Sequence, residues 1–113
     1  MIEALKACYD AGYCHRDLKP DNLLFDWDYQ LKLADFGFAT SINGEFGDGK
    51  LYDLLGTRSY FAPEIWEARP YEGMYVDLFS AGCILFIMQA GHPAFEFARQ
   101  DDPWFKMIKE KVF

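Results

Sequence analysis

Between Tyr13 and Asn22 the chain reads YCHRDLKPDN, placing the carboxylate of Asp17, the amine of Lys19 and the carboxamide of Asn22 in one short stretch that Pro20 stiffens. A second carboxylate, Asp35, follows 13 residues beyond Asn22 in the triplet Asp35-Phe36-Gly37. Oxygen ligands on two separate segments suit Mg²⁺, which keeps several waters and is completed by the phosphate oxygens of a substrate. Charged stretches of this kind also occur as plain surface turns. Between the two segments, Leu23, Leu24 and Phe25 form one apolar run, and Leu31 and Leu33 alternate around Lys32 in another. With Asp26 to Gln30 as the link, this predicts a β-hairpin that returns Asp35 towards Asn22.

His15, Arg16, Asp17, Leu18 and Asn22 meet the H-R-D-L-x-x-x-N pattern in full, and Asp35-Phe36-Gly37 and Ala62-Pro63-Glu64 follow in order. In these motifs the chain resembles the catalytic domain of eukaryotic serine/threonine protein kinases, most of all the calcium/calmodulin-dependent group. The implied fold is α+β and mainly helical, a partial protein-kinase-like large lobe with a short β-hairpin. Residues 1–113 would form one partial domain, from the end of one helix through the catalytic loop and activation segment to two later helices. The small lobe, with its glycine-rich loop and strand lysine, and the terminal helices are expected to be absent.

The parent reaction would move the γ-phosphoryl of ATP to a protein hydroxyl, chemistry that depends on positioning and charge stabilisation more than on covalent work by the protein. On the resemblance, Asp17 accepts or orients the proton of the attacking hydroxyl, and Lys19 lies beside the transferring phosphoryl. Asn22 and Asp35 hold Mg²⁺, and Leu24 touches the adenine from below; without the resemblance, Leu24 reads as core. Phe36 would anchor the strand end in the core and, with His15, belong to a column linking the lobes. Thr57 would bond back to Asp17 and Lys19. Phe38 would lie against the phosphoacceptor and favour serine over threonine, and Asp21 would favour a basic residue before it, moderately, because Ile87 stands where a second acid can occur.

The elements that position these groups are also legible. Ile2, Leu5, Cys8 and Tyr9 have helical spacing, and Gly12 is placed for a left-handed C-terminal cap. From Thr40 to Leu55 periodicity is lost, and Gly44, Gly47 and Gly49 predict a mobile loop; they lack the G-x-G-x-x-G order of a phosphate cradle. Within it, Asp53 stands where related kinases carry a phosphorylated threonine, so Arg16 is expected to pair with it, at about 1.5–3 kcal/mol if partly buried. Pro63 suits a first helical turn. Asp77 is expected to open an apolar helix closed by Gly91 and Pro93, with Leu78 to Ala90 buried, the Asp77 carboxylate bonded to the HRD backbone, and Ile84 and Met88 below Leu24. Asp101 or Asp102 with Pro103 predicts a last helix, Trp104 to Val112. Glu64 is expected to lack the arginine that pairs with it in the family, and His92 reads as a loop residue.

Of the 113 residues 51% are apolar and 19% aromatic, more than so short a chain can enclose. The net charge of -7 argues against nucleic acid or an anionic membrane as partner and suits a cationic protein substrate. Cys8, Cys14 and Cys83 form no C-x-x-C pair and leave one unpaired, predicting free thiols in the cytoplasm or nucleus. The run from Leu78 to Ala90 is shorter than the roughly 20 residues a bilayer requires, and the first residues do not form a signal peptide. No oligomeric state is assigned. Two other readings stand beside the kinase: a non-catalytic kinase-like binding module, and a truncated gene product without its own function.

Overall fold

In the computed structural model, which describes residues 1–111, the first apolar stripe becomes α1 (Ile2–Asp10), with Leu5 buried. Gly12, at φ +89°, turns the chain out of that helix into β1 (Tyr13–Cys14). After a single 3-10 turn at Pro20–Asn22 come β2 (Leu23–Phe25) and β3 (Leu31–Leu33). They pair antiparallel, with Leu23 opposite Leu33 and Phe25 opposite Leu31, the expected hairpin. Asp26 closes its link, the carboxylate accepting the N–H groups of Asp28 and Gln30.

β4 (Thr40–Ser41) pairs antiparallel with β1, and Leu51 bridges to Tyr71 through two backbone hydrogen bonds. Leu51 is buried. The stretch expected to be a loop is therefore fastened at both ends, because its apolar residues meet β1 and the approach to the next long helix. Three helices follow: α2 (Pro63–Trp66), α3 (Gly73–Ala90) and α4 (Pro103–Glu110). Asp102 caps α4, accepting the N–H groups of Trp104 and Phe105, so the helix begins at Pro103. Val112, to which the sequence carries that helix, lies outside the described residues.

α3 links two apolar clusters. Val76 joins Cys14, Leu51, Ala62, Ile65 and Tyr71, while Ala81 and Ile84 join Leu5 and Leu18 with Leu23 and Leu33 against them. At its start α3 approaches β1 so closely that a Cβ on Gly73 would lie 2.2 Å from the Cys14 sulfur. No larger residue fits there without moving the helix.

Three expectations are corrected. Asp77 does not open α3: the bridge at Tyr71 holds the chain extended as far as Glu72, and the helix starts at Gly73. The segment Leu78 to Ala90 is not buried along its length. Leu78, Leu85, Phe86 and Met88 are exposed, because α1 and β1 pack against one side and the first half of α3. Met88, 62% exposed, therefore does not continue the column under Leu24, whereas Ile84 is completely buried. At 18 residues and mean hydropathy 1.5, α3 is long and apolar enough to cross a membrane by length and composition; here its Asp77 is buried and bonded to backbone N–H groups. Gly91 ends it in the left-handed conformation, as expected. All three cysteines are free.

Candidate active site

The loop from His15 to Asn22 is held by its backbone. The N–H groups of His15 and Arg16 donate to the two Asp77 oxygens at 2.7 and 2.9 Å, which holds Arg16 at φ +71°, a left-handed conformation rare outside glycine. Burial pushes the Asp77 carboxyl above the usual range, and the two N–H bonds work against that shift. His15, fully buried, accepts the Asp17 N–H at Nδ1, 3.1 Å, so its proton sits on Nε2 and is donated to the Ala34 carbonyl at 2.8 Å. The imidazole thereby ties the loop to the end of the hairpin.

Thr57 connects the acid and the amine. Its hydroxyl donates to Asp17 Oδ1 at 2.8 Å and accepts from Lys19 Nζ at 3.0 Å. Asp17 Oδ2 lies 3.9 Å from that amine. Gly56 makes this contact possible: at φ +112°, a Cβ there would lie 2.7 Å from the Arg16 carbonyl.

Asn22 is buried and donates Nδ2–H to the Asp17 carbonyl at 2.8 Å, which turns its amide oxygen away from the loop. The Ala34 N–H donates to the Asn22 carbonyl at 2.8 Å, so the hairpin delivers the next residue, Asp35, beside Asn22. Asp35 is exposed, at φ +56°, with Oδ1 accepting the Gly37 N–H at 3.2 Å. An oriented amide oxygen and an exposed carboxylate fit Mg²⁺, a hard cation that retains water and phosphate ligands. Among the described residues no group of three His, Cys, Asp or Glu side chains forms a metal cage.

Leu24 is 52% exposed and pairs with Lys32, so it is not core; it presents an apolar surface at the hairpin. Phe36 is also not in the core. It is half-exposed and meets His15 edge-on at 4.9 Å, because no apolar cluster reaches the turn after β3.

Compared with known proteins, residues 1–113 match the family described as the protein kinase domain. The chain is a member of the protein kinase family. Similar to this kinase chain are CBL-interacting protein kinase 4 of Oryza sativa subsp. japonica, 43% identical over 96 residues, and CBL-interacting serine/threonine-protein kinase 15 of Arabidopsis thaliana, 38% identical over 112. The matches take in 85% and 99% of the chain but 21% and 27% of those relatives. CBL-interacting serine/threonine-protein kinase 26 of Arabidopsis thaliana is 44% identical over 96 residues, 85% of the chain and 22% of the relative.

In the kinase chain Arg16 reaches the segment that follows Asp35-Phe36-Gly37. Its Nε donates to the Phe38 carbonyl at 2.8 Å, and Nη1 donates to Asp53 Oδ2 and to the Tyr71 hydroxyl, each at 3.3 Å. The expected Arg16–Asp53 pair is present, but the Asp53 side chain is 68% exposed, so its worth is below about 1 kcal/mol instead of the larger figure. Sequence reasoning missed Tyr71; a tyrosine between Pro70 and Glu72 gives no signal of its polar role. Glu64 is half-buried and without an ion-pair partner among the described residues, as expected, and at that burial a lone carboxylate keeps contact with water.

Proposed function

We propose that this chain carries the phosphoacceptor side of a serine/threonine protein kinase site. The observation that supports it best is Asp17, with Oδ1 accepting from Thr57 and Oδ2 3.9 Å from the Lys19 amine. Mg²⁺·ATP, when bound, supplies the phosphoryl group and the cation that screens it. Asp17 Oδ2 receives the hydrogen bond of a substrate hydroxyl and orients its lone pair. Lys19, held by Thr57, places positive charge beside the acceptor, and Asn22 and Asp35 present oxygens to the cation. Leu24 offers the apolar floor for the base.

Phe38 is partly exposed next to the loop, which supports serine over threonine as acceptor, a discrimination by one methyl of about 1–3 kcal/mol. Asp21 is exposed and favours a basic residue before the acceptor. A net charge of -7 supports a protein substrate with basic residues and disfavours nucleic acid or an anionic membrane, and three free thiols support the cytoplasm or nucleus. The test is phosphoryl transfer from Mg²⁺·ATP to paired serine and threonine peptides by the complete protein that carries this chain. Asp17→Ala should lower turnover by about 10²–10⁴ with nucleotide binding retained. Asp35→Ala should weaken the metal-dependent part of binding as well. Binding without transfer by the unaltered protein would favour the non-catalytic module, and equal turnover of both peptides would remove the Phe38 assignment.

A further inference from the structure

Tyr71 is buried on the approach to α3, 3% exposed, yet its hydroxyl has two polar partners. The hydroxyl donates to the Asp53 main-chain carbonyl at 2.5 Å and accepts from Arg16 Nη1 at 3.3 Å. Two residues earlier in the segment, Leu51 exchanges both backbone hydrogen bonds with Tyr71, at 2.7 and 3.0 Å. One residue thus holds the segment twice, by its backbone at Leu51 and by its hydroxyl at Asp53. The Asp53 carboxylate, by contrast, is mostly in water. Arg16 passes this anchorage to the loop, because its own N–H is bonded to Asp77 and its Nε to the Phe38 carbonyl just beyond Asp35-Phe36-Gly37.

We propose that Tyr71 is a positioning residue. Its hydroxyl fixes the activation segment at the Asp53 carbonyl through a neutral, buried hydrogen bond and accepts a charge-assisted one from Arg16, with the exposed Asp53 carboxylate secondary. A main-chain carbonyl is the acceptor, so the anchor needs no particular side chain at position 53 and no phosphate. The proposal rests on the kinase reading for its meaning, but the opening of the segment can be measured without activity, so each can fail alone.

Trypsin cleavage after Lys50 reports that opening, because Lys50 adjoins the Leu51 bridge. In the complete protein, Tyr71→Phe removes one oxygen and keeps the ring. It should speed cleavage after Lys50 by about 3- to 10-fold, the effect of losing one hydrogen bond of ordinary net strength. Asp53→Asn should change the rate less than that, and Tyr75→Phe, an exposed tyrosine on α3, not at all. Where the protein is active, Tyr71→Phe should raise the peptide KM with the Mg²⁺·ATP KM unchanged. Cleavage of Tyr71→Phe at the unaltered rate, or a larger effect from Asp53→Asn, would each overturn the proposal.

Discussion

Thr57 is the residue on which the arrangement of Asp17 and Lys19 depends, since it donates to one and accepts from the other. Valine has nearly its shape and neither capacity. Thr57→Val should therefore lower kcat by about 10- to 100-fold, the range for a lost hydrogen bond to a charged group, with Mg²⁺·ATP affinity unchanged. A fall in nucleotide affinity equal to the fall in kcat would place Thr57 on the nucleotide side instead. The spacing of Asp17, Lys19, Asn22 and Asp35 was readable because each belongs to a contiguous motif, and Thr57 and Asp53 because they stand at fixed distances from those motifs. Tyr71 and the Nε2 bond of His15 to Ala34 were not readable. Both depend on a hydroxyl or ring nitrogen meeting backbone that arrives from elsewhere in the chain, and residue type alone does not encode such a meeting.

Among the elements, α4 depends on Asp102 for its start. Burial would raise that carboxyl, but N–H bonds from Phe105, Phe97, Glu96 and Trp104 together hold it below the usual range. With the folded value depressed, the stabilisation is complete above the ordinary carboxylate pKa and is lost as pH falls through the folded value. Asp77 runs the other way: its carboxyl is raised, so its contribution is complete at acid pH and is lost as pH rises through the folded value. The check is amide exchange of α4 as a ratio between Asp102→Asn and the unaltered protein, in which Asp77 cancels. Because Asn keeps only one of the two acceptor oxygens, the ratio should show less protection in the variant near neutrality, by about 1 kcal/mol, and converge towards one in acid; a constant ratio would contradict it. Hairpin register and the glycine ends of α1 and α3 were legible because local chemistry decides them. The burial of α3 was not, since an apolar helix reads the same on its covered and uncovered sides.

At the scale of the molecule, the chain is a slab of 40 × 38 × 19 Å with 7475 Å² of accessible surface. A folded monomer of 13.1 kDa has about 6,400 Å². The excess is apolar in part: Trp27, Phe25, Leu54, Leu85, Met88 and Trp104 are all more than half exposed. Expressed alone, residues 1–113 should bind an apolar dye and self-associate; a dye-silent monomer with sharp thermal unfolding would contradict this. Gly73 and Cys14 bear on the same cooperativity. The sulfur lies under the start of α3, 2% exposed, with burial pushing the thiol up to about 11, so its alkylation is strongly slowed while the helix is seated. Because α3 joins both clusters, unseating it should dismantle the whole molecule. Cys14 is then a built-in clock: its rate of alkylation, resolved from Cys8 and Cys83 by mass spectrometry, counts how often the molecule comes apart, and should rise with urea as steeply as global unfolding does.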